Sequence, residues 1–215
     1  METNGIENNQ VTMSGEIVSD FELSNKVYGE GFYFAKLSIQ RLSGEKDIIT
    51  IMVSERLVDV KVDWIGKFVR ITGQFRSYNK YEENKRKLIL FVFAEEFKVW
   101  EDDEDGMPYG KNGIFLNGFV CKEPSYRNTP NGRKISDVLL AVNRQYRKSD
   151  YIPCIAWGRN ARFAESLEVG TRLKVWGRIQ SRKYQKNVDN KIETRVAYEV
   201  SIQKMEVIED EQREN

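Results

Sequence analysis

The 215-residue sequence predicts an all-β protein built as two tandem five-stranded barrels, with a short helix in each. Three observations lead there. The chain is written twice, its apolar residues alternate with period two, and each copy orders its elements as three strands, a short helix and two strands.

The repeat is visible by laying the chain on itself. "MSGEIV" (Met13 to Val18) matches "LNGFVC" (Leu116 to Cys121) around Gly15 and Gly118, and "FAKLSIQR", ending at Arg41, matches "VLLAVNR", ending at Arg144. "DIITIMVSER" from Asp47 matches "DYIPCIAWGR" from Asp150, and all three pairs share an offset of 103. "IGKFVRITGQFRS" (Ile65 to Ser77) matches "VGTRLKVWGRIQS" (Val169 to Ser181) at an offset of 104, which Glu95 and Glu199 keep. The expected organisation is a first barrel over residues 9–100, an acidic linker over 101–111, a second barrel over 112–208 and a short acidic tail over 209–215. The linker "EDDEDGMPYGK" has the Gly, Pro and acidic content of an extended joint.

In the second copy the strands fall at about Gly113 to Cys121, Lys134 to Arg144, Tyr151 to Trp157, Arg172 to Tyr184 and Thr194 to Glu206. The stretch from Arg172 to Tyr184 alternates cleanly. Arg172, Lys174, Trp176, Arg178, Gln180, Arg182 and Tyr184 share one face, while Leu173, Val175, Gly177 and Ile179 share the other. "NARFAESLEVG" reads as the helix, with Asn160 as N-cap, Phe163 and Leu167 four apart, and Gly170 past its end. Five strands with a helix after the third is the element order of an OB-fold, whose sheet and loops bind oligonucleotides or oligosaccharides.

The net charge of +1 hides an asymmetry: residues 1–100 carry −1, residues 112–207 carry +9, and the joint and tail are acidic. No apolar run approaches membrane length and no leader is evident, so neither membrane insertion nor secretion is expected, and the cytoplasm is the default. Two cysteines, Cys121 and Cys154, suit that compartment. With no histidine, the commonest general base is missing and a zinc site is not expected. No catalytic role, cofactor or metal is therefore assigned.

Single-stranded nucleic acid asks a protein for cations along the phosphates and flat side chains under the bases. In "DYIPCIAW", Tyr151 and Trp157 share a face while Ile152, Cys154 and Ala156 turn inward, so the two rings stand about 20 Å apart. Tyr146 in the preceding loop and Tyr184 at the end of strand four extend the platform. Arg127, Arg144, Arg159, Arg178, Arg182 and Lys183 supply the charge. A strand aromatic more often packs than binds, and Trp176, Phe119 and Phe163 fit that plainer reading.

These residues resemble a known family. "GFVCKEPSYRNTPNGRKISDVLLAVNR", "DYIPCIAWGRNARFAESLEVGTRLKVWGRIQSRKY" and "AYEV" look like the bacterial single-stranded DNA-binding protein family, over about residues 112 to 207. The motifs are the turn made by Pro124, Arg127, Thr129, Pro130 and Gly132, the L-A-V-N-R strand end and the G-R-I-Q-S-R-x-Y stretch. The resemblance implies sequence-independent binding of single-stranded DNA in replication, recombination and repair, with Tyr146, Tyr151, Trp157 and Tyr184 at the stacking positions. It also implies a nucleoid-associated homodimer with four barrels. The first copy departs from this, since Ile48 and Ser54 stand where the second has Tyr151 and Trp157; it is expected to offer Arg76 and Tyr78 or Tyr81, and to bind weakly or serve assembly. The ending "IEDEQREN" lacks an apolar tip, so recruitment of replication and repair enzymes by that route is not expected. The alternative is an interaction module of the replication machinery, in which the first copy docks a protein and DNA binding is secondary.

Overall fold

The computed structural model describes residues 8–82, 85–100, 110–129, 131–188 and 191–209. The first copy forms β1 (Asn9–Ile17), β2 (Glu22–Val27), β3 (Glu30–Gln40), β4 (Lys46–Ser54), β5 (Phe68–Glu82) and β6 (Lys85–Val99). The second forms β7 (Asn112–Asn128), β8 (Lys134–Asn143), β9 (Ser149–Trp157), α1 (Arg159–Glu165), β10 (Arg172–Val188) and β11 (Lys191–Val207), with a 3-10 turn at Gln145–Arg147. Each copy closes on itself. β1 pairs with β3, β3 with β4, β4 in parallel with β6, β6 with β5, and β5 with β1. The second copy repeats the circuit as β7, β8, β9, β11 in parallel, β10 and back to β7. Both are therefore OB-fold barrels.

Alternation decides which residues fill them. β3 and β4 send Ala35, Leu37, Ile39, Ile49, Ile51 and Val53 inward, and β8 and β9 do the same with Val138, Leu140, Val142, Ile152, Cys154 and Ala156. Burying each of the larger aliphatic side chains contributes about 1.5–3 kcal/mol. At the matched positions Gly73 and Gly177 the long hairpins slip register, between Thr72 and Gly73 and between Trp176 and Gly177. A Cβ at Gly73 would sit 2.0 Å from the Phe93 carbonyl oxygen, and one at Gly177 would sit 2.2 Å from that of Ser201. The bulge that turns the sheet into a barrel thus needs glycine in both copies.

The first copy departs from the expected order in two ways. It has a sixth strand, β2, joined to β3 by a two-residue turn in which Tyr28 and Gly29 are left-handed (φ 49° and 84°), the geometry that suits the twist of a hairpin. The expected helix is absent from it. Between β4 and β5 the chain makes successive turns, because Asp59 and Asp63 accept bonds from the backbone N–H groups of Lys61 and Ile65, each at 3.0 Å. Such local Asx turns compete with helix formation. Pro130 and most of the acidic joint and tail lie outside the described residues.

The two barrels meet through an approximate two-fold relation. β1 and β7 pair antiparallel, with Val11 opposite Ile114, Asn9 opposite Leu116 and Met13 opposite Asn112. Flanking this ladder are two buried carboxylates that cross between the copies. Asp47 accepts from the Ser181 N–H (2.8 Å), from Arg41 Nε (2.7 Å) and from Arg178 Nη1 (3.3 Å). Asp150 accepts from the Ser77 N–H (2.5 Å), from Arg76 Nη1 (3.1 Å) and from both ends of the Arg144 guanidinium. The serine hydroxyls complete the exchange, Ser181 Oγ accepting from the Ile48 N–H at 3.0 Å and Ser77 Oγ from the Tyr151 N–H at 2.8 Å. Both aspartates have no exposed side-chain surface. The hydrogen bond to Asp47 raises the pKa of Arg41, whereas burial, reinforced by the neighbouring Arg41 charge, lowers that of Arg178.

Two outcomes follow from this packing. Asp150→Asn, measured by urea denaturation, lowers stability by about 2–4 kcal/mol, because two arginines lose their counter-charge at the join of the barrels. Gly177→Ala lowers stability in urea denaturation by about 1–3 kcal/mol through the carbonyl clash, while Gly113→Ala, whose added Cβ meets only the Thr12 carbonyl oxygen at 3.8 Å, costs less.

Candidate nucleic-acid interface

The outer face of the second barrel is built on β9. Tyr151, Pro153, Ile155 and Trp157 point outward along it, facing Ala141, Leu139, Asp137 and Ile135 of β8 in register. Tyr151 is 41% exposed and Trp157 is partly exposed, so both rings remain open to solvent, as their spacing predicts. Tyr146 is held out at 90% exposure by a tight loop closed by the Arg144 N–H bond to the Lys148 carbonyl (2.7 Å). Its backbone and that of Arg147 are left-handed, with φ 60° and 56°, a conformation uncommon for non-glycine residues and concentrated at functional sites. Tyr184 is half-exposed on the part of β10 that runs past the barrel, with the Arg182 guanidinium 5.8 Å from its ring. A cation at that distance favours a flat, electron-rich ring and leaves the outer ring face open.

The cations divide into two groups. Arg159 is exposed at the start of α1, directly after Trp157 and Gly158, and Lys183 is exposed beside Tyr184. Arg182 leans 3.8 Å from Glu199, which Gln180 also binds at 2.7 Å. Arg127 forms a half-exposed bidentate pair with Asp137 at 2.9 and 3.4 Å, an arrangement worth little in water. Thr129 turns inward to the β7–β8 connection, where its Oγ1 accepts from the Arg133 N–H at 3.0 Å. Arg76, Arg144 and Arg178 are partly exposed and paired with carboxylates at the join of the barrels. Their guanidinium groups, with that of Arg41, hold Asp150 and Asp47 between the barrels, two arginines to each carboxylate, so that each cluster keeps one positive charge beyond its aspartate.

In the first barrel, Ile48 and Ser54 lie on the outer face of β4 without rings, but the neighbouring strands carry them. Phe32 and Phe34 of β3, Phe91 and Phe93 of β6 and Tyr78 of β5 lie on the face turned away from the core. The repeat compared β4 with β9 and so did not flag them. Trp176 packs against Phe115 with ring centroids 5.1 Å apart and is covered by Lys204 at 4.7 Å, in line with the plainer packing reading.

Among the described residues no group of three or more His, Cys, Asp or Glu side chains is arranged to hold a metal ion, and no helix is long and apolar enough to cross a membrane. Both cysteines are free, and burial raises the pKa of each thiol. An unactivated thiol of this kind is a poor nucleophile at neutral pH.

Known proteins match both the second copy and the whole chain. A model of the Single-strand binding protein family matches residues 111–208. The Single-stranded DNA-binding protein of Halalkalibacterium halodurans is 35% identical over 88 residues, which are 38% of this chain and 52% of that protein. Single-stranded DNA-binding protein A of Bacillus subtilis is 38% identical over 81 residues, which are 34% of this chain and 47% of that one. The chain thus spans about half the length of the curated relatives it matches. The wild-type single-stranded DNA binding protein from Thermus aquaticus superposes with a TM-score of 0.74 at 19% identity, covering 96% of each chain. At that identity the likeness speaks for the fold, and it extends over both barrels.

Proposed function

We propose, from the match of residues 111–208 to the Single-strand binding protein family, that the protein binds and protects single-stranded DNA without sequence preference during replication, recombination and repair. The observation that carries the reading is the row of open rings, Tyr146, Tyr151, Trp157 and Tyr184, on the barrel that carries a net charge of +9. Cations draw the strand in by counterion release, and the bases then stack on the rings. No covalent step is required. We take the active form to be a cytoplasmic, nucleoid-associated homodimer of four barrels, each chain comprising a first barrel over 9–100, a linker over 101–111, a second barrel over 112–208 and a short tail.

The two parts of this mechanism separate experimentally. Replacing Trp157 and Tyr184 by alanine removes about 1–3 kcal/mol per stacked base, at least about thirty-fold in affinity for oligo(dT) together, with the salt dependence unchanged. Replacing Arg182 and Lys183 by alanine instead flattens the plot of log affinity against log salt by about 0.7 for each phosphate no longer neutralised. Affinity unmoved by the ring substitutions in a folded protein overturns the stacking reading.

A further inference from the structure

We propose that the first barrel carries its own base-stacking surface, formed by Phe32 and Phe34 of β3 with Phe91 and Phe93 of β6, and that single-stranded DNA passes onto it from Tyr151 by way of Tyr78. This rests on the single-stranded DNA reading above and extends it to the copy that lacks the family's rings.

The ring matching Trp157 has moved across a strand pair, whereas the one matching Tyr151 is missing, Ile48 standing opposite Ser38. In the second barrel Ile135 of β8 stands opposite Trp157 of β9. In the first, the equivalent pair is Phe32 of β3 opposite Ser54 of β4, so the ring sits on the other member of the same pair. Directly opposed residues have Cβ atoms about 4.5–5.5 Å apart, so a ring on either strand covers the same patch of sheet. The next outward pair adds a ring, with Phe34 opposite Met52 where the second barrel has Asp137 opposite Ile155, neither of them aromatic.

These rings form a connected surface. Phe32 and Phe93 have centroids 6.0 Å apart, Phe34 and Phe91 5.5 Å, and Phe91 and Tyr78 5.9 Å. Phe32, Phe34 and Phe93 are partly exposed, and the buried Phe91 packs between Phe34 and Tyr78 and backs both. They are on the outer face, because β3, β4 and β6 fill the barrel with the residues that alternate with them. Beyond Phe34, on the side away from Phe32, Tyr198 of the second barrel borders the surface, its hydroxyl 3.0 Å from Thr50 Oγ1 and 3.4 Å from Lys36 Nζ.

Continuity with the second barrel identifies the occupant. The Tyr151 N–H donates to Ser77 Oγ at 2.8 Å, which places Tyr78 next in sequence to the residue that grips the ring-bearing strand β9. Tyr78 and Tyr151 are 39% and 41% exposed. On this proposal a strand stacked on Tyr151 continues to Tyr78 and, over the Phe91 that backs both, to Phe34 and Phe32. The charge pattern agrees with bases more than phosphates: the first copy carries −1, and Glu30 beside Ser54 is neutralised by Arg56 at 3.0 Å. The first barrel stacks, and the second both stacks and attracts.

The test is the dependence of affinity on oligo(dT) length for wild type and for Phe32→Leu/Phe34→Leu, which keeps the surface apolar and removes its flat rings. Short oligonucleotides that fill only the second barrel bind both proteins alike. Long ones bind the variant about ten-fold more weakly per stacking ring removed, with an unchanged salt slope. Equal affinity at every length overturns the inference, as does a changed slope. Photocrosslinking of wild type to oligonucleotides bearing 5-bromodeoxyuridine is independent of variant folding: adducts on the β3, β5 or β6 peptides support the surface, and adducts confined to the second barrel refute it. Failure of wild type to bind oligo(dT) of any length overturns the single-stranded DNA reading itself.

Discussion

Two carboxylates with no exposed surface, Asp47 and Asp150, sit at the seam between the barrels, and each is held by groups from both copies. Burying an aspartate without partners costs several kcal/mol, so this arrangement exists only when the other barrel presents its serine N–H and arginine. The constraint works in both directions. Asp47 of the first copy fixes the β10 backbone at Ser181, and Asp150 of the second fixes the β5 backbone at Ser77. The β1–β7 ladder supplies area and backbone bonds, and the aspartates set where along it the barrels stop.

The proposed binding face inherits its geometry from that seam. Tyr151 follows Asp150 directly, and its N–H is bound by Ser77 of the other copy, so the first ring of the stacking row is positioned by the barrel that lacks it. On the opposite side, Ser181 shortly precedes Arg182 and Tyr184 on β10. Both ends of the second barrel's ring row are thus anchored next to the first barrel. A divergent copy that contributed only an inert scaffold would explain the seam, but not the ring surface of Phe32, Phe34, Phe91 and Phe93 on its outer face.

Much of this was legible in the sequence. The offset of 103 to 104 residues exposed the duplication, and strict alternation placed Tyr151 and Trp157 outward and Ile152, Cys154 and Ala156 inward, because a half-buried strand leaves no other choice of face. The helix expected in the first copy was lost to Asp59 and Asp63, whose short carboxylates bind their own backbone. The pairing of Arg76 and Arg178 with aspartates of the other copy was not legible, because a basic side chain near a ring carries no mark of a partner far away in the chain. One mark did exist: in both copies an aspartate opens the third strand shortly after an arginine, Arg41 with Asp47 and Arg144 with Asp150. The exchange of Trp157 for Phe32 was invisible because it crosses from one strand to the next, whereas a repeat compares like positions only.

The central claim is that this chain holds single strands by stacking and not merely by charge. The most direct measurement is a titration of the intact protein with oligo(dT) and with duplex of equal length, following the fluorescence of its four tryptophans at low and high salt. Strong quenching by the single strand alone, surviving in part at high salt, is the predicted result. Weak binding of both, erased by salt, would contradict the account and reduce the open face of β9 and β10 to a solvated surface with general affinity for polyanions.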